Sequence, residues 1–241
     1  MAEFDRPTIA ARPGTAAVID EGLRSYMLKV YNYMGIGLVV TGAVAYFFNQ
    51  WVMSSEATFN AIYGSPLMWV IALSPLAFVL VLSFGINKMS VGAAQLTFWG
   101  FATVMGLSLS SIFAVYTDAS IAKVFFITAA TFGTMSLWGY TTKRDLTGMG
   151  SFLFMGLIGL IIAMIVNIFL QSSMLEFAIS AIGVLIFVGL TAYDTQKIKE
   201  SYSASHGAEV LAKGAIMGAL RLYLDFINLF MMLLRLFGSR E

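Results

Sequence analysis

Asp225 stands in the run Leu220-Arg221-Leu222-Tyr223-Leu224-Asp225-Phe226-Ile227-Asn228-Leu229-Phe230-Met231-Met232-Leu233-Leu234, one of the most hydrophobic stretches of the 241-residue chain. A carboxylate that lipid or protein must surround is costly unless something pairs with it or protonates it, so its default reading is functional. On a helix, Gly214, Gly218, Arg221, Asp225, Asn228, Met232 and Arg235 recur at spacings of 4, 3, 4, 3, 4 and 3 and form one stripe. The plainest use of the stripe is an ion pair between Arg221 and Asp225 that only holds the helix. A base four residues ahead of an acid is the weaker orientation for such a pair. The competing partner is a second carboxylate, Asp194, at the end of another apolar run, Gly189-Leu190-Thr191-Ala192-Tyr193-Asp194. Read alone, Asp194 is an ordinary interfacial residue that leads into a basic loop.

The elements that must position these residues follow from composition. The chain is 59% hydrophobic and 11% charged, with a mean hydropathy of +0.84, which leaves too little polar surface to enclose a soluble globule. It is expected to be an integral membrane protein. Six charge-free segments, 30–48, 67–86, 93–115, 124–140, 152–170 and 177–193, are long enough to cross a hydrocarbon core of about 30 Å. A seventh, 215–237, carries Arg221, Asp225 and Arg235 and must lie inside the bundle or fold back part-way. Continuous apolar runs select helices over a barrel. The expected fold is an all-α integral membrane protein, a seven-transmembrane-helix bundle with the last, polar-striped helix central. Residues 1–28 read as a disordered cytosolic tail and 29–241 as a single membrane domain. Arg6, Arg12, Arg24, Lys29, Lys88, Lys143, Arg144, Lys197, Lys199 and Lys213 fall on one side, against Lys123 on the other with Arg235 and Arg240 unassigned, so the N-terminus is expected in the cytosol. The side of the C-terminus is left open.

Several chemistries are excluded. A net charge of +1 gives no footprint for nucleic acid. With no cysteine there is no disulfide or thiolate, and one histidine, His206, makes a zinc site improbable. The chain has no G-x-S-x-G, H-E-x-x-H or G-x-x-x-x-G-K-[ST] motif, so no enzyme and no resident cofactor are expected. Gly35, Gly37, Gly42, Gly156, Gly159 and Gly183 read as packing glycines, Pro75 as a kink, and Gln95 and Asn167 as interhelical hydrogen-bonding residues.

Four motifs carry a family resemblance: Tyr31, Asn32 and Met34 at the entry to the first span; Ser74-Pro75-Leu76-Ala77-Phe78; Thr191-Ala192-Tyr193-Asp194-Thr195-Gln196; and Leu222-Tyr223-Leu224-Asp225-Phe226-Ile227-Asn228-Leu229-Phe230. Together they resemble the Bax inhibitor-1 family, over essentially the whole chain after the tail and in the form of a bacterial member. The last two motifs are the specific ones. The resemblance implies a seven-helix calcium-leak fold of the inner membrane in which Asp194 and Asp225 form a pH-sensing pair. The family pattern can also place an arginine near the cytosolic end of the second helix. Here 67–86 contains none, and Lys88 is the basic residue that follows.

Two carboxylates close together in a poorly hydrated site cannot both ionise cheaply, so the pair titrates as a unit. A shared proton joins their helices; its loss sets two negative charges against each other and creates a site for a hard cation. Asp194 and Asp225 are thus candidate transient calcium ligands, with Arg221 as the neighbour that takes up one carboxylate and Asn228 and Lys88 as supporting residues. Partners are then the lipid bilayer, calcium and protons. Two other classes remain: an interaction protein whose tail engages a membrane-bound ATP-dependent protease, and a proton-coupled transporter. Intramembrane aspartyl proteolysis is only half matched, since Asp225 lacks the glycines that flank the catalytic aspartate there.

Overall fold

The computed structural model describes residues 13–240, with side chains from residue 20 onward. Its helices are α1 (Pro13–Val52), α2 (Glu56–Tyr63), α3 (Leu67–Gly85), α4 (Val91–Leu109), α5 (Asp118–Thr141), α6 (Thr147–Leu170), α7 (Ser173–Glu200) and α8 (Ala208–Phe237). All but the short α2 are long and apolar enough to cross a membrane, which makes seven spans. The protein is therefore the all-α membrane bundle that its charge-free runs imply.

Helix α8 is the axis. It packs on α7, α1, α5 and α4, while α3 leans on α4 and α6 leans on α7 from outside. In the most apolar part of α8, 72% of residues are buried, against 11% in α3 and α6. Leu222, Tyr223, Leu229 and Leu234 of α8 are fully enclosed. The remaining faces of α3 and α6, with Phe84, Phe152 and Phe169 outermost, are left for lipid.

Two elements differ from the sequence reading. Helix α1 starts at Pro13, so residues 13–28, read above as disordered tail, continue the first span as helix. Tyr26, Met27 and Val30 explain this, because all three are buried and Tyr26 stacks on Tyr202 in the α7–α8 loop with ring centroids 5.5 Å apart. Mixed charge concealed that anchor. Residues 1–12 of the expected tail lie outside the described residues. The connection after α1 also holds a helix, α2, whose first turn is capped by Ser55 accepting from the Thr58 amide at 3.1 Å. Buried Ile62, together with a 3.1 Å bond between the Tyr63 and Ser110 hydroxyls, fastens α2 to the bundle.

Pro75 lies inside α3 and has no N–H for the Ile71 carbonyl one turn back. Ser74 Oγ donates to that carbonyl at 2.8 Å, so the helix passes through the proline with the acceptor satisfied. Close helix approach depends on Gly139, where a Cβ would collide with the backbone of Ala192 on α7. Of the glycines expected to pack, a Cβ on Gly37, Gly156 or Gly183 would meet a neighbour, but one on Gly35, Gly42 or Gly159 would meet nothing. Those three have open space opposite, and a glycine marks close packing only where a partner lies against it.

The start of α1 and the end of α8 lie on opposite faces of the bundle. Gly22 and Tyr26 meet Tyr202 in the α7–α8 loop. At the other end, Arg240 bridges to Tyr116 and pairs with Glu176 at 3.4 Å, while Ser239 accepts from the Thr117 amide at 3.2 Å. This resolves the question left open for the C-terminus: it emerges on the face away from the α7–α8 loop.

Candidate functional site

Helices α7 and α8 run antiparallel with a register set by two close contacts. A Cβ on Gly218 would touch Ile198, and one on Gly183 would touch Met232. Asp194 therefore comes opposite the turn that carries Arg221 and Asp225. Asp194 is 8% exposed and Asp225 5%. Their carboxyl groups lie close enough across the α7–α8 interface to act on each other, and a proton shared between two such buried groups would relieve their repulsion. Asp225 Oδ2 has no hydrogen-bond partner among the described residues. A buried oxygen left without a partner is rare and calls for an explanation.

Arg221 acts on both carboxylates through its charge, yet its side chain is exposed and forms no ion pair among the described residues. The Arg221–Asp225 ion pair considered above is thus not formed. The stripe on α8 divides: Asp225 and Gly218 turn into the interface with α7, whereas Arg221 and Arg235 lie on the least buried side of the helix. Asn228, half-buried, donates to the Leu224 carbonyl of its own helix at 2.8 Å, so its amide is spent there. Lys88, in the turn after α3, is exposed and is not among the charges that act on either aspartate. Neither Asn228 nor Lys88 is brought to the pair.

Hydroxyl groups fasten the helices next to Asp194. Tyr31 of α1 bonds Ser136 of α5 at 2.6 Å, Ser136 bonds Thr195 of α7 at 2.9 Å, and Thr195 donates to the Thr191 carbonyl at 2.7 Å. The sequence reading did not single out this chain, although two threonines one turn apart in an apolar helix are a signal for it. Gln196 clamps the α5–α6 loop, donating to the Arg144 carbonyl at 2.8 Å and accepting from the Leu146 amide at 2.9 Å. Lys199 donates to the Tyr140 carbonyl at 2.7 Å. In that loop, Thr147 donates to Asp145 through its hydroxyl and its amide and holds the Asp145 carboxyl below its usual range. Gln95 bonds Tyr33 across α4 and α1 at 2.5 Å, as expected. Asn167 does not bond between helices: its Oδ1 accepts from the Ser172 amide at 3.0 Å and closes the α6–α7 turn. His206 is exposed in its loop.

A sequence profile described as inhibitor of apoptosis-promoting Bax1 matches residues 23–241. The chain belongs to this family. An uncharacterised protein of Rickettsia prowazekii is 50% identical over 222 residues, 92% of each chain. The inner membrane protein YbhL of Escherichia coli K12 is 48% identical over 223 residues, 91% of this chain and 94% of its own. An uncharacterised protein of Caulobacter vibrioides is 45% identical over the full length of both chains. With its seven spans, this Bax inhibitor family member is a multi-pass membrane protein, and the location that YbhL's name gives agrees with the bacterial inner membrane expected above.

Proposed function

We propose that this protein is a pH-sensitive cation leak, with calcium as the ion, gated by Asp194 and Asp225. One observation carries the reading: two carboxyl groups from antiparallel helices are buried against each other inside the helix bundle, with Asp225 Oδ2 unpartnered among the described residues. Such a site is held together by a proton and strained without it, because two bare carboxylates in low dielectric repel. Acidification favours the bridged form, which ties α7 to α8. Deprotonation releases the tie and leaves oxygen ligands for a hard cation. Calcium at rest takes six to eight oxygens, and among the described residues no group of three or more acidic or histidine side chains converges. Two carboxylates therefore suit a passing ion rather than a resident one. Arg221, one turn away and without an ion pair among the described residues, is placed to receive a carboxylate when the bridge parts. Nothing observed favours the tail-mediated protease partnership or a transporter over this reading.

The test is calcium flux into liposomes that contain only the purified protein, measured across pH. Flux should rise with pH in one coupled transition. Asp194→Asn and Asp225→Asn should each flatten that profile, and the double variant should be no worse than the more severe single one, since the residues act as a unit. Wild-type pH profiles in both single variants would remove the gate from the pair.

A further inference from the structure

Helices α1 and α5 hardly touch; both lean on α8 and leave a seam between them. On the face that carries most of the basic residues, the seam opens into a groove of about 440 Å³. Its walls are Met27, Leu28 and Tyr31 from α1 and Phe132, Gly133 and Leu137 from α5, with Arg24 and Tyr140 at the mouth. Among the described residues no acidic side chain lines it. Further along the seam, past Thr41 and Phe125, lies a second cavity of about 80 Å³.

We infer that this groove is a binding site for one anionic phospholipid, with an acyl chain along the α1–α5 seam and the phosphate at Arg24. The volume is that of a small-molecule site. The charge is complementary, because Arg24 at the mouth forms no ion pair among the described residues and lies six residues before the charge-free run that begins at Val30, where a headgroup phosphate would meet it. Lys199 adds a second cation beside the mouth, with its ammonium 5.1 Å from the centre of the Tyr140 ring. From Tyr140 the groove runs inward to Gly133, two helical turns or about 10 Å, along apolar walls that a hydrocarbon chain fills without leaving a polar group unpaired. Gly133 sets its width: a Cβ there would meet nothing. The groove wall also contains the Tyr31–Ser136 bond, so an occupant would brace the hydroxyl chain that ends at Thr195.

Native mass spectrometry of the purified protein, titrated with dioleoyl phosphatidylglycerol or dioleoyl phosphatidylcholine, tests the site independently of any flux. The wild type should hold one phosphatidylglycerol in preference to phosphatidylcholine, and that lipid should raise the unfolding temperature where inorganic phosphate does not. Gly133→Leu fills the groove and should abolish this binding. Arg24→Gln should weaken it about fivefold, the effect of one basic side chain at a membrane surface, and erase the preference. If Gly133→Leu does not fold, Leu137→Trp narrows the groove from its exposed rim. Wild-type lipid binding in Arg24→Gln or in the groove-filling variant overturns the proposal, as does equal binding of the two lipids by the wild type, equal stabilisation by inorganic phosphate, or a lipid-free dimer that occupies the seam.

Discussion

Helices α6 and α8 invert the rule that governs soluble proteins. The more hydrophobic one, α6, lies at the rim, with 11% of the residues in its most apolar part buried; α8, less apolar and carrying two arginines and an aspartate, has 72% buried in the corresponding part. In water the apolar face turns inward. In a bilayer lipid is as apolar as leucine, so burial brings hydrophobicity no advantage, and the interior goes to helices whose small, polar and shape-matched residues hold one another. Hydropathy thus locates the membrane in this chain, and the charges inside α8 locate its core.

The difference should be largest for glycines. Gly139→Leu drives a side chain into the Ala192 backbone and should cost about 3 kcal/mol or more, lowering the unfolding temperature by about 10 °C, while Gly159→Leu on α6, where a Cβ meets nothing, should leave it unchanged. Equal drops would mean that α6 has a partner on that face. A smaller contrast is expected for truncations. Leu229→Ala, at a fully buried site on α8, should cost about 2–5 kcal/mol, whereas Ile158→Ala on α6, 60% exposed, should change stability by less than about 0.5 kcal/mol. The smallest effect belongs to neither interior nor rim but to the loop before α6. Thr147 holds the Asp145 carboxyl below its ordinary value of 3.8, so its contribution is present above that value and lost as pH falls through the depressed one. Asp145→Ala should therefore be slightly less stable than wild type at neutral pH, and the gap should close at strongly acid pH; a constant gap would assign the effect to something other than the charge of the carboxylate.

Which parts of the fold were legible follows from the same contrast. Charge-free runs marked six of the seven spans, and the charges of α8 marked the seventh as the one that had to be inside, because lipid imposes both conditions along the chain itself. The facing of Asp194 and Asp225 was legible only through their motifs, since neither the Ile198–Gly218 contact nor the Met232–Gly183 contact leaves a trace in spacing. A stripe of period 3 and 4 shows which residues share a face of α8, but not that Asp225 sits at its buried edge while Arg221 sits at its open one. Asn167 and Gln95 are both amides in apolar helices. One ends at a turn and the other meets Tyr33, and their position relative to a neighbouring helix, invisible in one dimension, decides between those fates. The helical start of α1 was hidden because Tyr26 finds its partners, Ser201 and Tyr202, about 175 residues away.

The odd number of spans has an architectural consequence. Since residue 22 touches the α7–α8 loop and residue 240 touches Tyr116, the described ends are separated by the whole thickness of the bilayer. Two copies of this chain fused head to tail by a short linker would insert with the second upside down relative to the first, a two-fold inverted pair. A parallel tandem needs an additional crossing between them.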